Sequence, residues 1–147
     1  MRKRSLARDF ALRILYQLDI TARPIDHLIE DFWNNEEEAV AEEVKAFAAK
    51  IVLGVHEHLT VIDQKLAQYA TNWQLKRMAV IDKNVMRMGV FELYYLPDIP
   101  PKVTINEAID LAKKYGDIES GKFVNGILDK IHKTEIIGLN KSAEKSD

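Results

Sequence analysis

No cysteine occurs in the 147 residues. Disulfides, thiolate metal sites and cysteine nucleophiles are therefore excluded, and the composition suits the cytosol. Glycine (6) and proline (4) are scarce. A β-sandwich of this length would need more turn chemistry. No apolar run approaches the ~20 residues of a membrane span, and the basic N-terminus lacks the apolar core of a signal peptide. The expectation is a cytoplasmic protein with no membrane segment.

Catalytic patterns are scarce too. No Gly-x-Ser-x-Gly elbow is present, and no pair of carboxylates stands out for acid–base work. His56 and His58 are two residues apart, on nearly opposite faces of a helix, so they cannot share a metal ion there. Gly116 to Lys122 matches the start of a phosphate-binding loop, Gly-x4-Gly-Lys. That loop needs Ser or Thr next and a strand before it. Phe123 follows instead, Ile109–Tyr115 reads as helix, and Asp117 and Glu119 would repel phosphate. The reading is of a protein with no catalytic residues, no metal ligands and no cofactor.

What is present is an ordinary globular balance, 47% hydrophobic and 30% charged, long enough for one domain with a sizeable core. Net charge is −2, but it is unevenly spread. Arg2, Lys3, Arg4, Arg8 and Arg13 stand against Asp9 in the first thirteen residues. Residues 26–43 hold eight acids (Asp26, Glu30, Asp31, Glu36, Glu37, Glu38, Glu42 and Glu43) and no Lys or Arg. The basic start is either an arm for a polyanion or a solvated helix terminus.

The apolar pattern is helical almost throughout. Leu6, Phe10, Ile14 and Leu18, joined by Ala7, Ala11 and Leu15, predict an amphipathic helix over 5–19. Tyr16 lies two turns beyond Arg8, roughly 80° round the helix, so the two are expected on one exposed face. Cations beside an exposed aromatic suit single-stranded nucleic acid, and an ordinary boundary tyrosine is the plainer alternative. Cations in a first turn also oppose the helix dipole.

Pro24 opens a second helix, ended by Asn34-Asn35. A third is expected from Glu36, with Val40, Val44, Phe47, Ile51 and Val55 as its buried stripe. Gly54 and His58–Thr60 allow a break before a continuation to about residue 70. A turn containing Trp73 and Leu75 follows. Residues 79–96, apolar on several faces, predict a central buried helix with Asp82, Lys83 and Arg87 as its polar edge. Thr104-x-x-Glu107 reads as a capping box opening the next helix, and Gly116 as its stop. The last helix starts near Ser120, with Val124, Ile127, Leu128 and Ile131 inward. A polar tail, expected to be frayed, occupies 135–147.

Three segments together resemble the bacterial antitermination factor NusB. They are ARDFALRILYQ at Ala7–Gln17, IDKNVMRMGVFEL at Ile81–Leu93, and IPPKVTINEAIDLAKKYGD with SGKFVNGILDK across Ile99–Lys130. The likeness covers about residues 4–133. It implies an all-α fold of about seven helices in two packed bundles within one domain, 1–134. It also implies a non-enzymatic factor that binds boxA single-stranded RNA with the ribosomal protein NusE, within the RNA polymerase antitermination complex. By resemblance, RNA contacts fall to Arg2, Lys3, Arg4, Arg8 and Tyr16, and to Lys122, Phe123 and Asn125. Asp82 and Arg87 match the NusE-facing surface. Ser5 interrupts what is often an unbroken basic run, so the arm is weaker here. The other readings are a helix-turn-helix DNA regulator using Thr104–Lys133 and a purely structural helical domain. A homodimer is compatible with each.

Overall fold

The computed structural model describes residues 2–71, 76 and 78–137. Among them the regular structure is entirely helical, and the chain divides into two compact units, Met1–Glu57 and His58–Asp147.

The first unit holds α1 (Lys3–Ile20), α2 (Ile25–Asn34) and α3 (Glu42–Glu57). The four-residue spacing of apolar side chains in α1 buries Ala7, Phe10, Ala11, Ile14 and Leu15 against α2 and α3, and Leu12 is fully enclosed with them. Phe10, Phe32 and Trp33 meet edge to face at ring-centroid distances of 5.1–5.9 Å, the arrangement favoured by aromatic quadrupoles. The Arg13 guanidinium lies 4.7 Å over the Phe10 ring while its Nε donates to the buried Asp9 at 3.1 Å.

The third helix starts later than expected, at Glu42 instead of Glu36. The Glu36 N–H continues the turn that closes α2, donating to the Trp33 carbonyl at 3.2 Å. Its carboxylate lies 3.9 Å from Arg13. Glu36 therefore serves the connection, and Glu42 and Glu43 take the dipole-favoured first turn. Helix α3 ends at Glu57, where the His58 break was expected.

The second unit holds α4 (Leu59–Tyr69), α5 (Val80–Tyr95), α6 (Pro101–Tyr115) and α7 (Ile118–Ile131), followed by a π-helical turn at His132–Ile136. Helix α5 is central: every residue from Asn84 to Leu93 is buried, and α4, α6 and α7 pack on it. A Cβ added at Gly89 would lie 2.7 Å from Cδ1 of the buried Leu128, so the glycine lets α5 and α7 approach closely.

The capping box is not formed. Helix α6 begins a turn earlier, at Pro101, whose fixed φ and missing N–H suit a first helical position. Thr104 is thereby inside the helix and buried, and its hydroxyl donates to the buried Glu92 at 3.2 Å. Gly116 does stop α6, with a negative φ of −117°. Its lack of a side chain matters for space, because a Cβ would meet Ser120 Oγ at 2.6 Å. Asp117 caps α7 by accepting the Ser120 N–H at 2.8 Å.

The Gly116–Lys122 stretch is thus a helix stop, a cap and the first turn of α7. The π-turn carries the helical chain past Thr134: Glu135 Oε1 sits 3.0 Å from Lys65 Nζ on α4. The Lys65 and Tyr69 hydrogen bonds hold the Glu135 carboxyl below its ordinary value. Burial pushes the Tyr94 hydroxyl up to about 12. Trp73, Leu75 and residues 138–147 of the expected tail lie outside the described residues.

Candidate nucleic-acid interface

Five candidate residues belong to α1 and its N-cap. Arg2, at the N-cap, and Lys3 and Arg4, in the first turn, are exposed, and no acid shares that turn. Lys3 pairs with Glu43 of α3. Arg2 and Arg4 make no ion pair among the described residues. The Arg4 guanidinium lies 4.7 Å over the Phe47 ring of α3. Tyr16 is 37% exposed, consistent with a ring available for stacking.

Arg8 departs from the expected exposed face. It is 2% exposed, with its guanidinium 5.4 Å from the Phe47 centroid. Helix α3 packs along α1 and covers this position, so Arg8 and Tyr16 do not form one open surface. Arg8 is part of the packing that sets the α1–α3 geometry.

Three candidates belong to the start of α7. Asp117, as N-cap, orients the first turn, and Val124, Ile127 and Leu128 turn inward. This directs Lys122 and Asn125, three residues apart, outward together; both are exposed, and Phe123 is half-buried. Lys122 lies 3.4 Å from Glu119, in a pair open to water on both sides, which is a weak attachment. The interleaving of polar and apolar residues here follows from a half-buried helix.

The two residues expected to face a protein partner behave differently. Arg87 is 8% exposed. Its Nε and Nη2 bond the two Asp63 oxygens at 2.9 and 3.0 Å, and Nη1 bonds Asn84 Oδ1 at 3.2 Å. A guanidinium so occupied supports the packing of its own unit. Asp82 is half-buried and accepts from Ser120 Oγ at 3.3 Å. Burial raises its carboxyl above the usual range, the Ser120 bond opposes this, and Asp117 adds repulsion.

Sequence reasoning missed Phe47 as a surface ring and Lys50 altogether. With Lys3, Arg4, Glu43 and Ala46 they line a groove of about 320 Å³ between α1 and α3. The available signal was their i, i+3 spacing, but Phe47 fits the core stripe equally well.

A small all-helical protein with a cationic first helix and an exposed tyrosine defines the class. The NusB family model matches residues 5–133, and the chain belongs to that family. It is 42% identical over 151 residues to the transcription antitermination protein NusB of Thermodesulfovibrio yellowstonii, covering 97% of this chain and 99% of the relative. A crystal structure of antitermination factors NusB and NusE in complex with dsRNA superposes with a TM-score of 0.81 at 32% identity, covering 90% of this chain and 98% of the other. NusB of T. maritima gives a TM-score of 0.79 at 36% identity, covering 91% and 92%.

Proposed function

We propose that this protein is a non-enzymatic, cytoplasmic antitermination factor that binds boxA-containing RNA together with NusE and joins the RNA polymerase antitermination complex. The observation that carries this reading is Arg2 and Arg4, cations at the dipole-disfavoured end of α1 with no ion pair among the described residues. An external polyanion supplies what that end lacks. The similarity to a NusB that is seen with NusE and RNA points the same way.

In the mechanism this supports, Arg2, Lys3 and Arg4 bind phosphates and Tyr16 stacks on a base. Lys122 supplies a further cation on α7, Asn125 hydrogen-bonds, and the half-buried Phe123 offers a ring edge. Arg8 acts indirectly by holding α3 against α1. Asp82 remains the candidate for the NusE side, and Arg87 is assigned to internal support.

The test is a titration of boxA-like single-stranded RNA with and without NusE across a range of salt, with duplex RNA and duplex DNA as competitors. Affinity is expected to rise with NusE and to fall with salt, by about 0.7 in log–log slope per phosphate contact. Arg4→Ala should reduce that slope by about one contact. No RNA binding under either condition, or stronger competition by duplex DNA, would overturn the reading.

A further inference from the structure

We infer that the groove between α1 and α3 is a nucleotide subsite, in which Phe47 and Lys50 of α3 extend RNA recognition beyond the arginine-rich start. The inference rests on the RNA-binding function proposed above.

Three observations within the first unit carry it. The groove lining holds Lys3, Arg4 and Lys50 against a single carboxylate, Glu43. Glu43 is engaged by Lys3, while Arg4 and Lys50 make no ion pair among the described residues. The site is therefore cationic and suited to an anion. Its second feature is a ring: Phe47 is half-buried, so part of it faces the groove. The Arg4 and Arg8 guanidiniums, 4.7 and 5.4 Å from its centroid, are already gathered on it. An aromatic ring bearing guanidinium groups is a platform on which a base stacks.

The third feature is size. A volume of about 320 Å³ lies at the small end of ligand sites, which fits one nucleotide unit. An acidic peptide would use the charges but leave the platform idle, so a nucleotide of single-stranded RNA is the better match. In the bound state the base stacks against the Arg4–Phe47 pair, the Arg4 N–H groups still reach the neighbouring phosphate, and Lys50 holds the phosphate of the stacked nucleotide.

The experiment uses the full chain and boxA-like single-stranded RNA, titrated at several salt concentrations. Lys50 is exposed, so Lys50→Ala leaves folding intact. It should weaken binding several-fold and reduce the log–log salt slope by about 0.7. Phe47→Leu, with helicity checked by circular dichroism, should weaken binding roughly tenfold with the slope unchanged, as expected for lost stacking. Lys102→Ala, an exposed lysine of the second unit, controls for the loss of one charge and should change neither quantity. If the unaltered protein binds RNA and Lys50→Ala matches it in affinity and slope, the subsite is wrong and the broader function stands. Displacement of the RNA by polyglutamate from the unaltered protein but not from Lys50→Ala would assign the groove to an acidic peptide instead. If the unaltered protein binds no RNA with or without NusE, both readings fall.

Discussion

Replacing Arg87 by alanine separates a partner-facing arginine from an internal one. The side chain's hydrogen bonds at 2.9–3.2 Å include two to the Asp63 carboxylate and one to Asn84. Breaking a fully buried pair costs about 3–5 kcal/mol. Here Arg87 is 9% exposed at its side chain but Asp63 is 41% exposed, so water can re-solvate the orphaned carboxylate. The expected loss is smaller, about 2 kcal/mol, in line with hydrogen bonds to charged groups. With a urea m-value of about 2 kcal/mol/M, the unfolding midpoint should drop by about 1 M at constant m. Asp63→Asn and the double variant complete a cycle, and a coupling of at least about 1 kcal/mol is expected. NusE affinity measured well below the new midpoint should stay within a few-fold of the parent. An unchanged midpoint with NusE binding abolished would refute the assignment and return Arg87 to the partner surface.

Other perturbations probe the same framework. Gly89→Ala should destabilise by about 1–3 kcal/mol, because the new methyl meets Leu128 at 2.7 Å; in thermal denaturation the same substitution should cost less in a Leu128→Ala background than in the parent. Glu135 has a folded pKa below its unfolded value of about 4.3. Its stabilisation is therefore complete above that value and lost as pH falls through the folded pKa. Glu135→Gln should lower stability at pH about 7 and match the parent in strong acid, as read by urea unfolding at each pH; a gap that persists in acid would show that the carboxylate charge is not responsible. Leu12→Ala, at a fully enclosed position, should cost about 2–5 kcal/mol in the same assay.

Much of the fold was legible because its helices obey a simple period. The middle of the α1 stripe (Ala7, Phe10, Ala11, Ile14 and Leu15), the all-round hydrophobicity of α5 and the inward set Val124, Ile127, Leu128 and Ile131 of α7 lie where the pattern put them, while Leu6 and Leu18 at the two ends of the α1 stripe are only half-buried. Helix starts were harder. At Glu36 local dipole preference pointed to a helix, but an ion pair with Arg13 and a bond to Trp33 hold the residue in the connection. At Thr104 the capping pattern was real as letters, yet Pro101 had already begun the helix.

The candidate site was legible in composition and less so in exposure. Arg8 and Arg87 both look like polar edges along a helix, and both are buried by partners remote in sequence, Phe47 and Asp63. Periodicity assigns a residue to a face. It does not say whether a distant ring or carboxylate will cover that face. Phe47 was read as core and Lys50 went unread for the converse reason: the groove exists only once α1 and α3 are packed together.

The close approach of α5 and α7 at Gly89 bears on the role proposed for Lys122 and Asn125 of α7. The missing side chain at Gly89 lets Leu128 seat directly on α5, and packed interiors resist shifts of such a contact. The backbone beneath Lys122 and Asn125 is therefore fixed before any ligand arrives. Only the two side-chain tips lose freedom on contact, a cost of about 0.5–1.5 kcal/mol for each immobilised side chain, with no loop to order. In the proposed RNA contact, that stretch would act as a stiff, pre-set pair of prongs. Loosening the α5–α7 contact from the far side of the helix should blunt them without touching either residue.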